Sequence, residues 1–344
     1  MRIGVVVPNY FPNPLYRAVL PMEELGRRGH VVGVASLEGD ASALPSLDQL
    51  VGFDVVYFWQ LHFDAVRRLA KALRRTSTAV IWDSDDDVTA VPKGSPNYRQ
   101  AGGVRGRRMW SEMQAMVRLA DAVTTPSEVL AQKFRDVGQA HVHVIENRLP
   151  AVYGARGVAR RGSVVVGWVA GFEHVADARA LDLATVVAQL LEARPEVEFE
   201  TVGVALDVDH PRYRRHGVVD LPQLAGLIER FDIGVAPLAD TPFGRSRSNI
   251  KVKEYAAHGI PWLASDFGPY RGLGEPEGGR LVADGGWLGA LTALVDDRKA
   301  RKRLGEAAHR WAKTQTIAAN VGEWEPILTA AAGRARGRVA QAPV

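Results

Sequence analysis

From end to end the chain alternates between apolar runs of strand length and amphipathic segments of helix length, which confines it to parallel sheets joined by crossover helices. In the first half the strand-length runs fall at residues 3–7, 31–34, 55–59, 79–82, 122–124 and 142–145. A glycine- and arginine-rich stretch without apolar periodicity, residues 151–162 (AVYGARGVARRG), then breaks the pattern and reads as a linker. The series restarts at 164–168, 199–202, 233–236, 261–264 and 280–282, with helices expected over 176–193, 222–230 and 249–258. From Trp287 onward the chain reads as helix almost to its end, and the closing AGRARGRVAQAPV reads as a frayed tail. The expected fold class is therefore α/β, with two Rossmann-like units whose ligand belongs in the crevice outside the carboxyl ends of the strands, between the domains.

A length of 344 residues and an apolar content of 47% suffice for two cores. The absence of cysteine excludes disulfides, thiolate metal sites and a cysteine nucleophile. No run approaches the roughly 18 consecutive apolar residues of a membrane span. Arg2 to Val7 lead straight into a strand with no signal-peptide pattern, so a cytoplasmic protein is expected. A net charge of +4 selects no partner, but charge is clustered locally. Arg67, Arg68, Lys71, Arg74 and Arg75 crowd one expected helix and read as its solvated face.

The most informative stretch is FDIGVAPLADTPFGRSRSNIKVKEYAAHGIPWLASDFGPY, Phe231 to Tyr270. It contains a strand, a glycine-containing loop, and a helix opened by Ser248 or Asn249 as N-cap and closed by Gly259 before Pro261. A helix start behind a strand attracts anions through its free N–H groups and dipole. Arg245, Arg247 and Lys251 add three cations there, a match for a diphosphate. Glu254 stands three residues beyond Lys251, where a carboxylate can accept both hydroxyls of a ribose; an ordinary surface ion pair is the competing reading of that spacing.

This stretch resembles the retaining GT-B glycosyltransferases of the large family, family four, that includes bacterial polysaccharide and lipopolysaccharide sugar transferases. Their donor signature is a phosphate-contacting basic residue followed by a glutamate in a helix ending, in this sequence, EYAAHGIP. The resemblance implies that Glu254 binds ribose. The first glutamate of the usual pair falls at Ser246, so that feature is missing, although a subgroup carries a basic residue and serine before the lysine, as Arg247 and Ser248 do here. VVVGWVAGFEHVADARAL resembles the first donor-domain strand, its glycine loop with Gly171, and a helix entered at His174. ADAVTTPSEVLAQKF, followed by HVHVIENRLP with Asn147, resembles the end of the acceptor domain.

The resemblance implies two facing domains: acceptor-side 1–155, donor-binding 156–316, a helix at 317–332 packing back on the first domain, and a flexible tail at 333–344. It implies transfer from a nucleotide-sugar co-substrate, UDP being the commonest nucleotide, to a saccharide, a lipid-linked sugar or a protein, with retention. No metal is expected to be required, because the basic donor loop and helix dipole can hold the leaving diphosphate.

On the acceptor side, AVIWDSDDDVTAVPKGSPNYRQ places Asp83, Asp85, Asp86 and Asp87 just after a strand. So many neighbouring carboxylates require cationic, hydrogen-bonded or protonated surroundings. Asp87 reads as a capping residue of a surface loop, whereas Asp83 and Asp85 are candidates for acceptor binding or for removing a proton from the attacking hydroxyl. Tyr16 and Arg17, in the first loop, are expected to meet acceptor or donor phosphate, with packing of Tyr16 on its helix as the alternative. His30 reads as structural; His174 either donates to the sugar or diphosphate or is an internally satisfied histidine.

The run from Lys93 to Arg108 carries Arg99, Arg105, Arg107 and Arg108 and no acidic residue. Pro92, Pro96 and the Gly102–Gly103 pair suggest a loop, and Tyr98 and Trp110 supply rings. Cations interleaved with rings suit a nucleic-acid groove, so DNA bearing hydroxymethylated bases is the second acceptor class; lipid phosphates would suit the same charges. Two further functional classes share such a fold: a nucleotide-sugar epimerase and a non-catalytic sugar- or nucleic-acid-binding module.

Overall fold

A computed structural model describes residues 1–10, 12–154 and 162–341. Most of the expected linker, residues 155–161, and its boundary at 155/156 lie outside the described residues.

The first sheet is wholly parallel, in the order β2 (Val31–Ser36), β1 (Arg2–Val7), β3 (Val55–Trp59), β4 (Ala79–Asp83), β5 (Ala122–Thr125), β6 (Val142–Val144). Its central strands are apolar on both faces because both are covered. Successive side chains alternate between faces. Ile3, Val5, Val7, Val55 and Tyr57 face α1 (Leu20–Arg27). Val6, Val56, Phe58, Val80 and Trp82 lie in a core shared with residues of α2 (Asp64–Leu73), α3 (Gly103–Leu119) and α4 (Glu128–Asp136).

The second sheet has the order β12 (Gly279–Val282), β11 (Trp262–Ser265), β10 (Ile233–Ala236), β7 (Val164–Ala170), β8 (Val197–Gly203), β9 (Tyr213–His216), again all parallel. The edge strand β9, YRRH, lacks the apolar run that marks the other strands. It is held partly by its polar ends: the fully buried Glu200 of β8 lies 3.0 Å from His216 and also receives Arg230, outside the strand, at 2.9 Å. The helix expected over 176–193 is two, α5 (Val175–Ala180) and α6 (Leu183–Ala193), separated where Asp182 takes a left-handed conformation (φ 46°). There follow α7 (Leu221–Ile228), α8 (Ile250–Ala257), α9 (Trp287–Asp296), α10 (Arg298–Thr314) and α11 (Trp324–Ala340).

The chain crosses between the domains at two adjacent places, where Leu149 N–H donates to Gln315 (2.8 Å) and Ile317 N–H donates to Leu149 (2.9 Å). Helix α11 then covers the α1 side of the first sheet, burying Trp324, Ile327, Leu328, Ala331, Ala332 and Ala335, with Trp324 edge-on to Tyr57 at 5.4 Å. The tail expected from residue 333 is therefore helix as far as Ala340. Ala331, Ala332 and Ala335 are buried at helical spacing, and Arg334 and Arg338 reach Asp121. Residues 342–344 lie outside the described residues. No helix among the described residues is long and apolar enough to cross a membrane.

Because α11 completes a core of the first domain, Trp324→Ala should destabilise that domain by about 3–5 kcal/mol. Urea unfolding followed by far-UV circular dichroism would show it, and an unshifted midpoint would mean that α11 contributes little to that core.

Candidate active site in the interdomain cleft

The carboxyl ends of both sheets face the same cleft. Asp83 is the last residue of β4, in register with Trp59 and Thr124, and is fully buried. It accepts from Thr124 Oγ1 (2.6 Å) and Arg17 Nε (3.2 Å) and forms a close ion pair with Arg17 Nη2. Arg17, in the π-helical turn Leu15–Val19, also donates to the Ile145 carbonyl and to Asn147 Oδ1 (3.2 Å). Burial alone would lower its guanidinium pKa; Asp83, Tyr57 and Asp85 together outweigh that and raise it. The structure places these two residues, Arg17 and Asp83, against each other at the cleft end of the first sheet, each the other's charge partner.

Asp85 is also buried, and Gln60 Nε2 donates to it at 2.6 Å. Burial first, then the neighbouring Asp86 and Asp83, push its carboxyl up to about 8. Gln60 holds a left-handed conformation (φ 49°) immediately after β3, with its N–H on the Asp83 carbonyl at 2.8 Å. A non-glycine residue so placed marks strain worth explaining by function; nothing in its sequence neighbourhood announces it. Asp87 caps a turn through Thr89 N (3.0 Å) and takes Lys133 Nζ at 2.5 Å.

On the donor side, α8 opens the cleft face of the second domain. Asn249 occupies the N-cap position without capping the helix, and Ser248 Oγ receives Asn147 Nδ2 at 3.1 Å. Lys251 Nζ lies 3.2 Å from Glu254 Oε2. Glu254 is only 1% exposed, and two hydroxyls address its other oxygen: Tyr16 at 2.6 Å and Tyr153 at 3.3 Å. Tyr16, from the first domain, sits in a core of the second, and its phenol pKa is raised by burial and then by Glu254. Neither expected role for it, phosphate contact or packing on its own helix, describes this crossing. Lys253 is fully buried against Glu146 (2.7 Å) and the Asn147 carbonyl (3.0 Å), and burial lowers its pKa to about 8. Tyr153 and Lys253 carried no signal in the sequence that separated them from ordinary core and surface residues.

Arg247 spans the cleft, donating to Asp86 of the first domain (2.6 Å) and to Glu173 of the second (2.9 Å). Burial alone would raise the Glu173 carboxyl, but Arg247, His174, a backbone N–H and Lys251 together outweigh it and hold it at about 2. A Cβ at Gly171 would lie 2.3 Å from Glu173 Oε2, so this glycine makes room for that carboxylate. His174 is buried with Nδ1 2.9 Å from Asp177, which in turn accepts from Ala239 N at 2.9 Å. Arg245 turns outward to Asp240 (2.6 Å). Ser246, where the resemblance would place a glutamate, is buried, donates to the Phe243 carbonyl (2.8 Å), and through its own carbonyl accepts from Ser127 across the cleft (2.8 Å).

The basic run is not the expected loop. It forms the short helix Tyr98–Ala101 and the start of α3, which carries Arg105, Arg107 and Arg108 exposed on its first turns. The expected free rings are engaged: Tyr98 packs against Gly102, and Trp110 stacks on Phe134 (6.1 Å) with Lys133 over it (4.9 Å). A cavity of about 150 Å³ lies in the cleft between Asp86, Ser95 and Asn97 of the first domain and Glu173 and Arg247 of the second. Among the described residues, no group of three or more histidine, aspartate or glutamate side chains could hold a metal ion.

No family profile and no curated protein matches the chain by sequence. Solved structures do match. Sucrose-phosphate synthase from Thermosynechococcus elongatus superposes with a TM-score of 0.65 at 15% identity, over 99% of this chain and 100% of that one. An alpha-glucosyltransferase in complex with UDP-glucose and DNA containing an abasic site gives 0.66 at 10% identity, over 96% and 99%. HepE from Anabaena, in complex with UDP and glucose, gives 0.62 at 15%, over 94% and 98%. The chain spans only 54% of the length of TarM, another structure of the same architecture. At these identities the likeness shows the fold, and the fold is the two-domain GT-B fold of glycosyltransferases.

Proposed function

We propose that the chain is a glycosyltransferase that takes a sugar from a nucleoside diphosphate, UDP most of all, and passes it with retention to an acceptor hydroxyl in the interdomain cleft of a cytoplasmic enzyme. The observation that carries this reading is the Glu254 carboxylate. It lies one turn inside the helix α8, beside Lys251, and already accepts two hydroxyls, from Tyr16 and Tyr153. A ribose diol offers the same two donors and would take the place of the tyrosine hydroxyls on this buried carboxylate. Lys251 and the N-terminus of α8 supply positive charge where the diphosphate would leave. Ser248 and Asn249, in the turn before it, help hold that helix start against the first domain. The folds that resemble this one include proteins solved with UDP or UDP-glucose, which supports UDP as the nucleotide. A saccharide, a lipid-linked sugar or a protein is the acceptor. In this reading the N-terminus of α8 and Lys251 take the leaving diphosphate without a metal.

Lys251→Ala should remove the charge-assisted contact to the diphosphate and Glu254→Ala the ribose contact. Each should weaken UDP binding by a factor on the order of ten to a thousand, measured by calorimetry. Unchanged affinity in both would show that α8 is not the donor helix. Incubation with UDP-sugar alone distinguishes an epimerase, which makes an isomer without acceptor, and tight UDP binding without turnover would identify a non-catalytic module.

Asp85 is the group assigned to take the acceptor proton. A base works only when ionised, and this carboxyl is held up to about 8. Turnover should therefore rise as pH climbs through about 8, and Asp85→Asn should lose most of the rate and the rise together while UDP affinity is retained. A pH profile identical in the variant would remove Asp85 from the chemistry.

A second reading, DNA as acceptor, is supported by the exposed arginines 105, 107 and 108 and by the DNA-bound relative. The engaged rings of Tyr98 and Trp110 weigh against base stacking there. Binding to DNA should then fall steeply with salt, and replacing the three arginines should flatten the slope. Absence of binding at low salt would close this reading.

A further inference from the structure

The cavity in the cleft differs in chemistry from the donor helix. Its polar lining is Asn13, Ser95, Asn97, Asp86 and Glu173, and Arg247 is the one cation among the lining residues. Val88, Val91 and Phe243 supply apolar wall. Neither Lys251 nor Glu254 lines it, and most of its wall comes from the first domain. At about 150 Å³ it holds roughly ten to fifteen water-sized spheres of about 10–15 Å³ each, which is the scale of a single pyranose ring.

Its electrostatics select among acceptor classes. Each terminal nitrogen of Arg247 donates to a carboxylate, one to Asp86 and one to Glu173. With two carboxylates facing one guanidinium that already pairs with both, a phosphate group would find no unpaired cation among the lining residues. Neutral hydroxyls meet the opposite situation. A carboxylate has about four acceptor sites, so an ion pair with Arg247 leaves capacity to accept from hydroxyls. Amides and a serine hydroxyl complete a set able both to donate and to accept, and the apolar wall suits the C–H surface of a sugar ring.

We propose that this cavity is the acceptor subsite and that the acceptor group it takes is a neutral pyranose, read through Asp86 and Asn97, with Arg247 fixing Asp86 and Glu173 in place. The inference rests on the glycosyltransferase reading and narrows it: the group entering the cleft is a sugar and not a nucleic-acid backbone. An anionic portion of a longer acceptor would remain outside, where Arg105, Arg107 and Arg108 are exposed.

The test uses the full chain saturated with UDP and titrated with methyl glycosides of glucose, galactose, mannose and N-acetylglucosamine. It follows heat of binding and melting temperature in wild type, Asn97→Ala and Asp86→Asn. The Asn97 side chain is exposed, so its removal leaves folding intact even where Asp86→Asn loosens the domains. At least one glycoside should bind the wild-type complex, and each variant should bind it about tenfold more weakly with UDP affinity unchanged. If UDP binds and no glycoside does, the acceptor assignment fails while the donor reading stands. If free glycosides are ignored and the variants instead lose the advantage of a UDP-sugar over UDP, the cavity belongs to the donor's own sugar and the inference is likewise overturned. Failure of the wild type to bind UDP would overturn the donor reading, and this inference with it.

Discussion

The buried pair of Arg17 and Asp83 is the contact on which the cleft is built. Two charges removed from water are tolerable only when each satisfies the other and the remaining donors find acceptors, and removing one partner of such a pair typically costs about 3–5 kcal/mol. Here Thr124 completes Asp83, while the Ile145 carbonyl and Asn147 complete Arg17. The pair therefore ties together the loop after β1, the end of β4, and the segment that leaves β6 for the second domain. Tyr16, adjacent to Arg17, is thereby aimed across the cleft at Glu254, and Asn147 is aimed at Ser248. A charge pair inside one domain thus sets where its neighbours meet the other.

What could be read in the sequence and what could not divide along physical lines. Strands such as Val55–Trp59, and helices whose start and stop are written in capping and glycine positions, depend on local pattern and were legible. Strand β9 was not, because its one apolar side chain, Tyr213, and its His216 find their partners, Phe199 and Glu200, on the neighbouring strand β8. The alanine- and arginine-rich final segment looks like low complexity until a sheet face is present for Ala331, Ala332 and Ala335 to cover. Helix-internal residues behave likewise: Lys251 and Glu254 announce themselves by spacing, whereas Lys253 gains its partners only when Glu146 arrives from the other domain.

Site residues follow the same rule more severely. An acidic run after a strand located the cleft correctly, yet nothing in DSDDD says which carboxylate is internal. Asp83 points at Arg17, Asp85 at Gln60, Asp86 at Arg247 and Asp87 at Lys133, four partners contributed by four separate elements. Neighbouring carboxylates separated in this way no longer share one environment. Burial and the charges of Asp86 and Asp83 push the Asp85 carboxyl up to about 8, while Glu173, across the cleft, is held down at about 2 by Arg247 and its other cationic neighbours.

The same pairing divides labour between the cations. Arg245 and Arg247 stand in the loop before the donor helix and look equivalent to Lys251 in sequence, but Arg245 is held outward by Asp240 and Arg247 is neutralised by two carboxylates. A diphosphate approaching α8 would find the backbone N–H groups of the helix start and Lys251, whose single carboxylate partner, Glu254, lies on the same helix. Field lines in a cleft with low-dielectric walls follow the uncompensated charges, not the total. With the positive end at α8 and carboxylates around the cavity, the leaving phosphate and the incoming hydroxyl are drawn to opposite sides of the sugar-transfer point, and Arg247 serves as the electrostatic wall between them.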